Sequence, residues 1–290
     1  MVFYVDSCLI AMLRFAANLS LMYPDLPFLQ RFGAAAADGF RGVEYLFPYA
    51  FEASVLADAL HANDLEQVLF NTPPAGQDRN DMISAWDRGE RGTGCAPGRE
   101  AEFRAGVQLA LDYARTLGCP RVHTMVGIRP ADISTQEADA TLIANLQWAV
   151  PLAAQAGVTL LIEPINPRNV PGFHLQRQEH AHAIVEAVSS PHVQVQMDLF
   201  HCQRVQGDLT HHISTWLPTG RVGHMQLADV PSRHEPGTGE VHWPHVLEHL
   251  ERVASQCNWS GWIGCEYNPL DGSAGGTTQG LDWLRTWQQR

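Results

Sequence analysis

The chain has 290 residues, a net charge of −12, and 45% hydrophobic against 17% charged residues, a balance that buries one large core and suits a single α/β barrel with no second domain. All 19 basic residues are arginine, which excludes Schiff-base lysine chemistry and the lysine-dependent phosphate loop. The acidic balance argues against nucleic acid or an anionic membrane as partner, while an anionic small molecule stays open because a few local arginines suffice to hold it.

Taken in chain order, residues 1–12 are apolar but carry Asp6 and no basic flank, so they make a poor export signal and are too short to span a bilayer. Residues 1–13 are expected to form a disordered extension, with the folded domain running over 14–290. Cys8, Cys95, Cys119, Cys202, Cys257 and Cys265 form no C-x-x-C pair, and are expected as reduced thiols of a cytoplasmic protein. A strand is predicted at 14–19, an Ala-rich helix at 27–38, a strand at 42–46, a helix at 52–62 and a strand at 67–71. A long polar segment to about residue 98 follows, expected to cover a site, since long loops in compact domains are usually functional. Then come a helix at 99–117 closed by Gly118, a strand at 121–125, and a helix at 134–156 opened by the capping box Ser134-x-x-Glu137.

The second half repeats the unit with carboxylates at the strand ends. The run 158–163 is apolar and β-branched, stops at Pro164, and ends in Glu163, as a strand buried on both faces should. Strands at 193–198, 222–229 and 262–266 end in Asp198, carry His224 and Gln226, and end in Glu266; helices are predicted at 178–188, 209–217, 243–256 and 277–288. About eight β-loop-α units imply a parallel sheet closed into a (β/α)8 TIM barrel, whose ligands gather at the carboxyl ends of the strands. Each acid alone could cap a helix or pair with an arginine. Together, Glu163, Asp198, Gln226 and Glu266 offer four oxygen donors to a hard divalent ion, Mg²⁺ or Mn²⁺. Cys265 should point away from Glu266 by strand alternation.

Among fourteen histidines, His242, His245 and His249 have the spacing of a polar helix face, and His211-His212 and His180-x-His182 read the same way. His201 and His224 lie at or just past strand ends and are expected to touch substrate or the ligand shell.

The segments Phe47-Pro-Tyr49, Arg88-Gly-Glu-Arg-Gly92, Ile162-Glu-Pro-Ile-Asn166, Met197-Asp198 with His201, Gly223-His-Met-Gln226 and Arg233-His-Glu-Pro-Gly-Thr-Gly-Glu240 resemble the hydroxypyruvate isomerase family of xylose-isomerase-like barrels. The resemblance runs from about residue 14 to the last helix. It implies a metal held by Glu163, Asp198, Gln226 and Glu266, with Glu163 and Glu266 as the acid–base pair that interconverts a 2-hydroxy ketone and a 2-hydroxy aldehyde through an enediolate. Hydroxypyruvate would become tartronate semialdehyde. Arg88, Arg91 and Arg233 are the candidates for its carboxylate, each of which could equally be a solvated loop charge.

The N-terminal dozen residues have no place in that pattern, and the 76–88 loop is longer than usual, so the substrate could also be a 2-oxo-tetronate or a keto-sugar. An apurinic endonuclease on the same barrel and a non-catalytic sugar or metal binder are the remaining alternatives. Homo-oligomerisation is left open.

Overall fold

The structure, a computed structural model, describes residues 13–290; residues 1–12 of the expected N-terminal extension lie outside the described residues. The first half runs β1 (Arg14–Asn18), α1 (Phe28–Ala37), β2 (Gly42–Tyr45), α2 (Ala53–Ala62), β3 (Glu66–Asn71), α3 (Arg79–Ala85), α4 (Glu100–Leu117), β4 (Arg121–His123) and α5 (Thr135–Ala156). The second half runs β5 (Thr159–Ile162), α6 (Gln178–Val188), β6 (Val193–Asp198), α7 (Leu199–Val205), α8 (Leu209–Trp216), β7 (Val222–Leu227), α9 (Trp243–Cys257), β8 (Trp262–Cys265), α10 (Gly276–Gln279) and α11 (Asp282–Gln288). The eight strands pair in parallel in sequence order, and β1 returns to β8 through Arg14–Trp262 to Ala17–Cys265, which closes the barrel.

Local sequence explains where the helices stop and start. Ser134 accepts from the Glu137 backbone N–H while the Glu137 carboxylate accepts from that of Ser134, so the capping box forms at the start of α5. Gly118 and Gly157 adopt the left-handed conformation that ends α4 and α5.

Two helices, α3 and α7, lie where the sequence pattern predicts none. In the 72–98 segment, Asp78 caps α3 by accepting from Asp81 N, and Met82 and Ala85 are buried beneath it; seven residues are too few for their apolar spacing to stand out. α7 begins on Asp198 itself, the last strand residue. The 72–98 segment then lies against the loop after β4 through the antiparallel bridge Gly92–Val126.

The barrel interior has two storeys. Towards the amino ends of the strands, Ala16, Val68, Leu69, Leu161 and Trp262 form an apolar plug, each large side chain contributing about 1.5–3 kcal/mol by burial. Nearer the carboxyl ends the inward positions are polar: Asn18, Glu44, Gln196, His224 and Gln226, all buried. Gly264 makes room for them, since a Cβ there would lie 2.3 Å from both carboxylate oxygens of Glu44.

Candidate active site

Strand alternation turns every second side chain inward, and at the ends of β5, β6 and β8 those positions fall on Glu163, Asp198 and Glu266, all buried. Asp198 is fixed by its own helix: its Oδ1 accepts from Phe200 N at 2.7 Å and His201 N at 3.4 Å, as a cap of α7. That leaves Oδ2 buried and without a hydrogen-bond partner, as is Glu163 Oε1. Unpartnered buried carboxylate oxygens are costly, and two facing one space are what a hard cation would satisfy. The donor chemistry therefore fits Mg²⁺ or Mn²⁺.

His201 joins this group, with Nε2 3.8 Å from Glu163 Oε1 and 3.6 Å from Asp198 Oδ2. Its tautomer follows from its neighbour. Asn166 Oδ1 accepts from the backbone N–H groups of Arg168 and Asn169, which fixes the amide so that Nδ2 sits 2.6 Å from His201 Nδ1. Nδ1 is then an acceptor, and Nε2 of the neutral ring carries the proton and faces the carboxylates. Burial, followed by the charge of Arg233, holds His201 well below the usual imidazole range. Its Nε2–H is thus a free donor that faces the Glu163 and Asp198 carboxylates.

Arg233 supplies the positive charge. Its Nη2 hydrogen-bonds to Glu266 Oε2 and lies 3.6 Å from Asp198 Oδ2, with the guanidinium 5.1 Å from the centre of the Phe200 ring. The loop that carries it is built on buried Asp229, whose carboxylate accepts from the backbone of Val230, Gly237, Gly239 and Val241. Arg233 itself sits at φ 61°, a conformation an L residue adopts at a cost of about 1–3 kcal/mol. The hydrogen bonds Arg233 N to Asp229 O and Asn268 N to Arg233 O, each 3.0 Å, hold it there.

Burial raises all three carboxyls. Glu163 rises well above its ordinary value through burial and then the charges of Glu266 and Asp198. Burial pushes Glu266 up to about 8 against the opposing pull of Arg233, and raises Asp198 as well. His123, 3.6 Å from Glu163 Oε2, is driven down to about 3 by burial.

The other sequence candidates take different places. Gln226 lies at the barrel mouth, with Oε1 accepting from Gln196 Nε2 at 2.6 Å and Nε2 donating to Glu44 at 2.7 Å. His224 is buried with Nε2 2.7 Å from Glu44 Oε2. Both therefore belong to a hub around Glu44, to which Asn18 also donates at 2.9 Å. Arg88 pairs with Asp81 on the exposed face of its loop, and Arg91 stacks 3.8 Å over Trp86. Their contacts stay within the 72–98 segment. The sequence pattern does not single out Glu44, His123, Asn166 or Gln196 as site residues. The only signal was a polar residue inside an apolar strand or just after one.

Comparison with known proteins agrees with this architecture. The family model described as xylose isomerase-like TIM barrel matches residues 32–287. The chain is 45% identical over 277 residues to the 2-oxo-tetronate isomerase of Cupriavidus necator, covering 96% of this chain and 99% of that protein. It is 42% identical to the hydroxypyruvate isomerase of Escherichia coli, covering 94% and 98%. A solved structure described as an AP endonuclease, family 2, from Brucella melitensis superimposes with a TM-score of 0.85 at 44% identity over 95% of this chain and 99% of that one. A 3-keto-D-glucoside 4-epimerase of E. coli, at 17% identity and a TM-score of 0.71 over 95% of this chain and 99% of that one, shares the fold. The chain thus belongs to the xylose isomerase-like TIM barrel family and is an enzyme of the aldose–ketose isomerase type, similar to hydroxypyruvate isomerase.

Proposed function

We propose that this enzyme isomerises a small 2-keto acid, hydroxypyruvate to tartronate semialdehyde or a 2-oxo-tetronate to its 3-oxo isomer, by proton transfer between Glu163 and Glu266. The observation that carries the reading is this pair of buried carboxyls at the ends of two strands, both raised by burial above the ordinary carboxyl range, where a carboxyl can give as well as take a proton. The names of the C. necator and E. coli relatives support the substrate class.

Glu163, Asp198 and Glu266 would hold a divalent cation, Mg²⁺ or Mn²⁺, with the unpartnered Glu163 Oε1 and Asp198 Oδ2 as its first anchors and the second lone pair of Gln226 Oε1, which also accepts from Gln196, as the fourth donor. When bound, the ion supplies polarisation of the substrate carbonyl and stabilisation of enediolate charge. One glutamate removes the proton from C3 of hydroxypyruvate and the other returns a proton at C2, while the hydroxyl proton passes from the C3 oxygen to the C2 oxygen. His201 Nε2–H donates to a substrate oxygen. Arg233 binds the substrate carboxylate, for which its planar fork is suited. Reduced thiols at the five described cysteines support a cytoplasmic location.

A panel of keto acids and neutral ketoses tests this. Hydroxypyruvate or a 2-oxo-tetronate should turn over well above the ketoses, with solvent deuterium entering the product carbon in D₂O, and Arg233→Ala should raise KM. Equal efficiency on ketoses, with no change in Arg233→Ala, would move the assignment to a sugar isomerase or epimerase. The description of the B. melitensis protein favours a second reading, cleavage of abasic DNA. A net charge of −12 without lysine opposes it, and metal-dependent cleavage of abasic duplex would establish it.

A further inference from the structure

Away from the barrel mouth, three side chains from three separate elements meet at one point. Asp139 lies in the second turn of α5, His180 in the first turn of α6, and His174 in the loop between β5 and α6. The Nε2 atoms of both histidines lie 2.7 Å from the same oxygen, Asp139 Oδ1. Their rings cross at 74° with centroids 5.2 Å apart. The His174 side chain is 1% exposed, whereas those of His180 and Asp139 are 26% and 28% exposed, so the cluster has a buried floor and one side open to water. His174 N donates to Gly127 O at 2.9 Å, which fixes the floor.

The geometry points to a second metal site, Asp139–His174–His180, which takes a borderline first-row divalent ion such as Zn²⁺ with water in the remaining position. Two observations favour it over a plain hydrogen-bonded clamp. First, the ligand atoms already converge. Tetrahedral zinc with bonds of about 2.0–2.1 Å holds its ligand atoms about 3.3 Å apart, so each imidazole has to withdraw from Asp139 by roughly 0.6 Å, within reach of a side-chain adjustment. Second, two imidazoles and one carboxylate suit Zn²⁺, Co²⁺ or Ni²⁺, whereas the all-oxygen set at the strand ends suits Mg²⁺ or Mn²⁺. Arg129, whose charge reaches His174, is anchored on the Ile133 carbonyl and weakens the site without filling it.

Such an ion would tie the loop after β5 to α5 and α6. That loop also carries Asn166, the residue that sets the His201 tautomer. The site does not depend on the proposed reaction, and its test does not use activity. Chelator-treated protein is dialysed against Zn²⁺, and bound zinc is counted in the wild type, His180→Ala and Asp139→Asn. Asp139→Asn keeps an acceptor for hydrogen bonds while losing the charge. The wild type should hold one more equivalent of zinc than either variant, and an Asp198→Ala protein should keep that equivalent. Co²⁺ bound to Asp198→Ala should show the intense visible bands of tetrahedral nitrogen–oxygen coordination, and adding His180→Ala should abolish them. Equal zinc content in wild type and both variants, with an unchanged Co²⁺ spectrum, overturns the site and leaves a hydrogen-bonded clamp.

Discussion

Replacing Glu266 with glutamine should separate activity from stability, because the carboxyl proposed to move the proton is also one the fold ionises at a cost. Glutamine keeps the shape and an oxygen that can accept from Arg233, but it neither carries a charge nor exchanges a proton at useful rates. Loss of a positioned acid–base group costs about 10²–10⁴ in rate, or roughly 3–5 kcal/mol of transition-state stabilisation. Stability should change in the other direction, by an amount that grows as the pH rises from about 4.5 to about 8. Glu266 goes from an ordinary 4.5 to about 8 on folding, so metal-free folded protein retains a proton that the unfolded chain has lost. The stability this contributes is full below about pH 4.5 and falls as the pH rises through about 8. At about 1.4 kcal/mol per tenfold, the ceiling on that loss is roughly 5 kcal/mol. In chelator, urea unfolding at pH 5 should therefore give similar values for wild type and Glu266→Gln, while at pH 8.5 the variant should be the more stable by one to several kcal/mol. Turnover should collapse across the whole range. A variant with wild-type rate, or one destabilised equally at both pH values, would falsify the assignment of Glu266.

Two further outcomes follow from the same geometry. Chelation should abolish turnover, with Mg²⁺ or Mn²⁺ restoring it; Asp198→Ala should weaken Mn²⁺ binding at least tenfold by titration, and full activity in rigorously stripped protein would remove the cation from the mechanism. Gly264→Ala should destabilise the barrel by about 1–3 kcal/mol, the usual cost of overpacking, because its Cβ would meet the Glu44 carboxylate; an unchanged denaturation midpoint would show that the hub yields easily.

The strand-end acids were legible because a carboxylate closing an apolar run conflicts with its surroundings unless something there uses it. Glu163, Asp198 and Glu266 stood out for that reason. Glu44 and Gln196 lie inside their strands, where alternation of polar and apolar residues also describes a strand with one face in water, and only closure of the sheet turns that face into an interior. His182 misled in the opposite sense: its spacing read as a polar helix face, yet it is 1% exposed and stacked on Trp216 at 4.1 Å. His180, read the same way, meets Asp139 and His174 instead. No local pattern links those three positions, because their proximity arises only from the packing of α6 beside α5. The three candidate arginines looked equivalent in sequence. The left-handed backbone at Arg233 and the turn built on Asp229 are what set it apart from Arg88 and Arg91.

The hub around Glu44 also bears on how the chain reaches its final form. Glu44 lies on β2, while His224 and Gln226 lie 180 and 182 positions downstream on β7. Contacts of such high sequence separation form late and slow folding, since the loop-closure entropy comes before the contact. A chain emerging from synthesis can pair β1 to β6 and still leave this carboxylate hydrated and facing an unfinished wall. Two of its three buried donors arrive with β7, and Gly264 of β8 then lies against it. Dehydrating Glu44 and completing the ring are therefore one event, and the interior acid acts as a latch that favours the intact circle over any open sheet made of the same strands.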